Sequence, residues 1–142
     1  MAPHYLLAAL LVVSAAGGCA TLSKDERSTA RQLGGQWGEV GSDDCEVNPQ
    51  AISFSPAMRK MYVRYPNGGT SDNKELRYGF TYRVLSASDQ RVRLFLLGES
   101  RKDSADLSVT WNAVLLANDR FCWRRSDWPD SECTVVRARC GP

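Results

Sequence analysis

The stretch Leu76-Arg77-Tyr78-Gly79-Phe80-Thr81-Tyr82-Arg83-Val84-Leu85 puts Leu76, Tyr78, Phe80, Tyr82 and Val84 on one face. Arg77, Gly79, Thr81 and Arg83 fall on the other. Side chains alternate across a strand, so this is the pattern of a strand with one face buried. The next run, Gln90–Leu97, sets Val92, Leu94 and Leu96 against Arg91 and Arg93. Leu107–Leu115 continues with Val109, Trp111 and Ala113 against Ser108, Thr110 and Asn112. If Tyr82 and Val92 are to share the buried face, the turn between their strands must hold an odd number of residues. A three-residue turn at Ser86-Ala87-Ser88 meets that requirement, pairs Val84 with Gln90 and Tyr82 with Val92, and sets Arg83 opposite Arg91.

Working outward, five more runs share the period: Gln36–Val40, Ala51–Ser55, Lys60–Tyr65, Arg120–Arg124 and Thr134–Arg139. Short polar links such as Pro66–Lys74 and Glu99–Asp106 separate the runs. Eight sequential strands make an antiparallel meander, and closure into a barrel removes both exposed edges. The expectation is an all-β, eight-stranded, up-and-down barrel over 35–142. A barrel of that size is either filled by side chains or holds one small ligand.

The N-terminal quarter reads differently. Ser23-Lys24-Asp25-Glu26 has the form of a capping box, and Gly34-Gly35 supplies a stop, so 24–33 reads as a short helix or a tether. Before it, Tyr5–Ala16 is a largely apolar run of twelve residues, the length of a signal-peptide core and too short for a membrane-spanning helix. Ala16-Gly17-Gly18-Cys19-Ala20 resembles the lipobox of bacterial lipoproteins. That resemblance implies a signal peptide over 1–18, acylation of Cys19, a lipid-attached segment over 19–34 and a cell-envelope location, on the outer membrane facing the periplasm. An ordinary secretory cut after Ala16 or Ala20 is the alternative.

A second resemblance concerns the barrel. A short helical stretch followed by Gly35-Gln36-Trp37 at the first strand looks like the G-x-W opening of the lipocalins and their calycin relatives. The chain is shorter than a typical lipocalin and lacks the T-D-Y-type motif and the helix after the last strand. The likeness implies a ligand-holding barrel in which an arginine near the end of the last strand, Arg137 or Arg139, packs over Trp37.

Four cysteines remain after Cys19: Cys45, Cys122, Cys133 and Cys140. An extended 133–140 would hold its ends ~23 Å apart, which excludes a bond between those two. Antiparallel pairing of the first and last strands favours Cys45–Cys133 with Cys122–Cys140; Cys45–Cys140 with Cys122–Cys133 is the alternative.

The only histidine, His4, lies in the leader, and no metal-ligand spacing or nucleophile–base pair is visible, so neither a catalytic residue, a metal nor a cofactor is assigned. All eighteen Lys and Arg and all sixteen Asp and Glu follow Cys19, a balance without the basic stripe of a nucleic-acid partner. Trp37, Tyr78, Phe80, Tyr82, Trp111 and Trp123 are the candidate lining for a small apolar ligand; the same rings also serve as a packed core. Arg83, Arg91 and Arg93, with Arg64 and Arg77, form an outer basic face that is either a solvated surface or a partner-binding patch for lipid A phosphate, peptidoglycan carboxylates or an acidic protein. Trp128, beside Pro129 in an acidic loop, is a candidate exposed anchor for a periplasmic protein. Disulfide-bonded barrel lipoproteins that inhibit lysozymes are the comparison for that second function, although the chain has no S-G-x-x-Y segment of the kind they use.

Overall fold

A computed structural model describes residues 21–57, 59–67 and 79–141. Residues 1–20, with Cys19 and the expected signal peptide, lie outside the described residues, as do Leu76, Arg77 and Tyr78. The order is α1 (Lys24–Gln32), β1 (Gly35–Glu39), α2 (Asp44–Val47), β2 (Gln50–Ser55), β3 (Lys60–Arg64), β4 (Phe80–Ser88), β5 (Arg91–Leu96), β6 (Trp111–Leu116), β7 (Arg120–Arg125) and β8 (Arg137–Arg139). Each strand pairs antiparallel with its sequence neighbour, and β8 returns to β1 to close the barrel. The all-β, eight-stranded architecture read from the alternation is therefore present.

The closing seam is three residue pairs long. Trp37 lies opposite Arg139 and Glu39 opposite Arg137 across β1 and β8. α1 begins with the capping box: the Glu26 amide donates to Ser23 Oγ at 3.1 Å and the Ser23 amide to Glu26 Oε2 at 2.8 Å. The helix is no tether. It packs Leu22, Ala30 and Leu33 into the core cluster and lies over one end of the barrel, where Glu26 Oε1 accepts from the Ala87 amide at 3.3 Å.

At the far end of α1 three carbonyls need partners, because a helix C-terminus leaves its last acceptors unsatisfied. Arg139 Nη2 donates to Gln32 O at 2.6 Å and Nη1 to Gly34 O at 2.7 Å; Trp37 Nε1 donates to Leu33 O at 2.8 Å. The Arg139 guanidinium lies 4.3 Å from the Trp37 ring centroid, a cation–π geometry. Gly35 makes this possible: its φ is +129°, and a Cβ there would sit 2.7 Å from Arg139 Nη1.

From Trp37 a column of rings climbs the interior. Phe121 meets Trp37 edge-on at 4.8 Å, Trp123 meets Phe121 at 5.3 Å, Tyr82 stacks on Trp123 at 5.6 Å, and Phe80 follows at 6.2 Å. Around its base Met61, Val84, Val92 and Leu94 are fully buried, so the α1 end is filled.

Two sequence expectations are corrected. The β4–β5 turn is Asp89-Gln90, not Ser86-Ala87-Ser88, and Tyr82 pairs with Leu96 and Val84 with Leu94. A bulge between Val84 and Ser86 supplies the odd residue that the turn was expected to hold, so Ala87 and Val92 regain the inner face. Arg59 Nη2 donates to the Leu85 carbonyl at 2.8 Å and so supports the bulge. Arg83 therefore faces Phe95, with its guanidinium 5.5 Å from that ring, and not Arg91.

The disulfides are Cys45–Cys140 and Cys122–Cys133, not the favoured pairing. After β1 the chain reverses and lays α2 back along the strand, with Cys45 over Gly38, where a Cβ would meet Cys45 Sγ at 2.7 Å. That return carries Cys45 towards Cys140, whose amide donates to Gln36 O. Cys133 stays beside β7 because β8 is only three residues long and Thr134 bonds the Trp123 backbone through its amide and hydroxyl.

Two stability predictions follow from this architecture. Arg139→Ala is expected to lower unfolding free energy in urea by about 2 kcal/mol, since two bonds from a charged donor are lost. Arg139→Lys should recover less than half, because an ammonium cannot hold two carbonyls and a ring at once; full recovery by lysine would remove the proposed basis. The Cys45–Cys140 bond spans 95 residues and Cys122–Cys133 spans 11. Replacing the first pair by serine should cost roughly 4–5 kcal/mol and the second roughly 3 kcal/mol on loop entropy, with equal or reversed losses counting against the pairing.

Candidate functional site

The barrel end opposite α1 is open. β3, β4, β5, β6 and β7 raise Tyr65, Phe80, Tyr82, Leu96, Trp111 and Trp123 around a cavity of about 530 Å³. The link after β5 crosses the rim with Glu99 and Arg101. Volume and wall composition lie within the range of small-molecule sites, mostly apolar with a few placed polar groups.

Those polar groups are fixed. Gln50, at the start of β2 and 3% exposed, accepts from Trp123 Nε1 at 3.2 Å and donates to the Tyr65 hydroxyl at 2.6 Å. At the rim, Arg101 holds Glu99 in a two-pronged pair, Nε to Oε1 at 2.7 Å and Nη2 to Oε2 at 2.6 Å, while Trp111 Nε1 donates to Oε2 at 3.2 Å. The Glu99 side chain is 2% exposed and that of Arg101 is 47% exposed. The Arg101 hydrogen bonds bring the Glu99 carboxyl down to about 2. Burial pushes the Tyr82 hydroxyl far above its ordinary range, so it stays a neutral phenol.

The assigned side chains separate by position. Phe80, Tyr82, Trp111 and Trp123 come together at the open end. Trp37 does not: it is 1% exposed at the closed end, its indole spent on Leu33 and Arg139, and it belongs to the packed core. Trp128 is not the free anchor its proline-flanked loop suggested. It is half-buried, edge-on to Trp111 at 6.0 Å, with the Arg125 guanidinium 5.9 Å from its ring. Arg83, Arg91 and Arg93 are exposed on the outer face, but Arg83 stands apart on Phe95. The acidic loop is tied to arginines, Asp127 to Arg125 at 2.8 Å and Asp130 to Arg124 at 3.5 Å. No group of three metal-ligating side chains occurs among the described residues.

Sequence reasoning missed Gln50, Glu99 and Arg101. The last two sit in a link read only as polar; the available signal was a carboxylate and a guanidinium two residues apart just after a strand and a glycine.

Fold and cavity together define a disulfide-bonded closed β-barrel, filled at its helix-covered end and open at an aromatic-walled mouth. No protein-family model, curated protein or solved structure matches the chain.

The Glu99–Arg101 pair gives a signed pH prediction. The folded carboxyl titrates near 2 against an ordinary 4.5, so its contribution is complete above about pH 4.5 and fades as the pH falls toward 2. Thermal melts across that window should show wild type losing its advantage over Glu99→Gln as acid is added. A difference independent of pH would mean the pair adds nothing through ionisation.

Proposed function

We propose that this chain is a non-enzymatic, lipocalin-like lipoprotein of the bacterial cell envelope that holds a small, flat or acyl, mainly apolar ligand in the open end of its barrel. The observation that carries the reading is the uneven filling of the interior. Trp37 and Phe121, at the base of the ring column, fill the half nearest α1, and the cavity of about 530 Å³ lies at the other. An apolar ligand would lie against Phe80, Trp111 and Leu96, with its polar end toward Glu99 and Arg101. Arg139 over Trp37, with Gly35 bare beneath it, is the arrangement that the G-x-W resemblance implies and supports the lipocalin-like part. Two disulfides favour an oxidising compartment, in keeping with export through the leader and a lipid on Cys19. A protein-inhibitor role through the barrel-end loops draws less support, because Trp128 is already packed on Trp111.

Native mass spectrometry of the protein, made through its own leader and purified gently, tests both halves. The expected spectrum carries a diacylglyceryl increment on the Cys19 peptide and a separate mass that denaturation releases. Phe80→Ala, at a half-buried rim position, should weaken retention of that mass about tenfold, equivalent to ~1.4 kcal/mol. A bare barrel mass in wild type would overturn ligand carriage, and an unmodified Cys19 peptide would overturn lipid attachment.

A further inference from the structure

A second cavity, of about 470 Å³, lies on the outer face of β4–β7, separate from the mouth. Its floor follows from register. Ser86 pairs with Arg93, Arg93 with Asn112, and Asn112 with Arg124, so one row crosses four strands. The short Asn112 therefore lies between two long guanidinium side chains. Adjacent strands are about 4.8 Å apart, so the Cα atoms of Arg93 and Arg124 stand about 9.6 Å apart with a trough between them. Arg91 adds a third guanidinium one outward position before Arg93, and Arg125 a fourth at the wall.

Charge in this trough is not balanced. Arg125 is held by Asp127 through both oxygens. Arg124, whose side chain is only 12% exposed, faces Asp130, whose side chain is 97% exposed, at 3.5 Å. Such an exposed partner compensates weakly. Among the described residues no carboxylate lies within ion-pair distance of Arg91 or Arg93. Thr110 Oγ1 accepts from Arg93 Nε at 3.3 Å, which fixes the stem of a side chain that lines the cavity.

The geometry points to a binding site for a phosphate monoester in the trough flanked by Arg93 and Arg124. A monoester carries nearly two negative charges at neutral pH on three terminal oxygens, against a single charge for a carboxylate. Four guanidiniums opposed by Asp127 and Asp130 leave two positive charges to meet it. Guanidinium forks bind such oxygens two at a time, and the Ser86 and Ser126 hydroxyls add further donors at the wall. The cavity is much larger than one phosphate group, and Trp128 on its wall gives the esterified residue an apolar surface. The site does not depend on the mouth or its ligand. The monoester comes either from a lipid headgroup or from a free phosphorylated metabolite.

Calorimetric titration of the full-length protein distinguishes these sources. The probes are glycerol 3-phosphate, monomeric dihexanoyl phosphatidic acid, and phenyl phosphate with phenyl sulfate as its singly charged counterpart. Phenyl phosphate should bind at least about tenfold more tightly than phenyl sulfate and should weaken below about pH 6 as its second proton returns. Dihexanoyl phosphatidic acid binding well above glycerol 3-phosphate identifies a lipid source, and equal binding identifies a free one. Arg93→Gln should reduce monoester affinity about tenfold, and Arg91→Gln serves as the second variant should the first not fold. Arg83→Gln, on the same outer face but outside the cavity, should leave affinity unchanged. Equal affinity for phosphate and sulfate, or equal losses in the Arg83 and Arg93 variants, would overturn the proposal.

Discussion

The closure of this barrel depends on what Arg139 does with the four heavy atoms of its guanidinium. One face of the group covers Trp37, while its terminal nitrogens hold the carbonyls of Gln32 and Gly34. A single side chain on β8 thus fixes the end of α1, the start of β1 and the seam that closes the sheet. Lysine lacks the planar fork for this, and any residue but glycine at position 35 would occupy the space of Nη1. Closure also decides which end of the barrel is available. Because the pin and the helix belong to the same end, ring packing begins there and thins out toward the other.

The alternation of apolar and polar residues was enough to read eight strands and a barrel, because a sheet with one face buried imposes period two on its sequence. It was not enough for the β4–β5 register. Leu85 continues the apolar count and carries no sign that the chain bulges there; what makes the bulge favourable is Arg59, a residue 26 positions away. The disulfides failed for a related reason. Cys45 does not continue along the line of β1, because α2 doubles back over the bare face of Gly38. The candidate site was half legible. Residue type marked the aromatics as inward-facing but carried no depth, so Trp37 and Trp111 looked equivalent although one is sealed under the helix and the other lines the mouth.

The two cavities share a wall. Arg101 lies 5.2 Å from the Trp111 ring centroid, Trp111 meets Trp128, and Trp128 meets Arg125. Trp111 faces the mouth and Trp128 the arginine trough. Truncating either ring therefore removes packing from both sites, and neither tryptophan alone reports cleanly on one of them. Phe80 and Arg93 have no such dual role, which makes them better instruments for separating the sites.

The Cys45–Cys140 bond and the β1–β8 seam join residues about a hundred positions apart. Non-local contacts of this kind form late, since loop closure must precede any gain from pairing. A chain synthesised N-terminus first can pair β1 through β7 as they emerge, but its open edges stay unpaired until residues 137–140 arrive. Emergence of that short segment sets the moment at which the barrel stops being a sheet that other chains can join. The most exposed interval in the life of this chain is thus written into the position of its last strand.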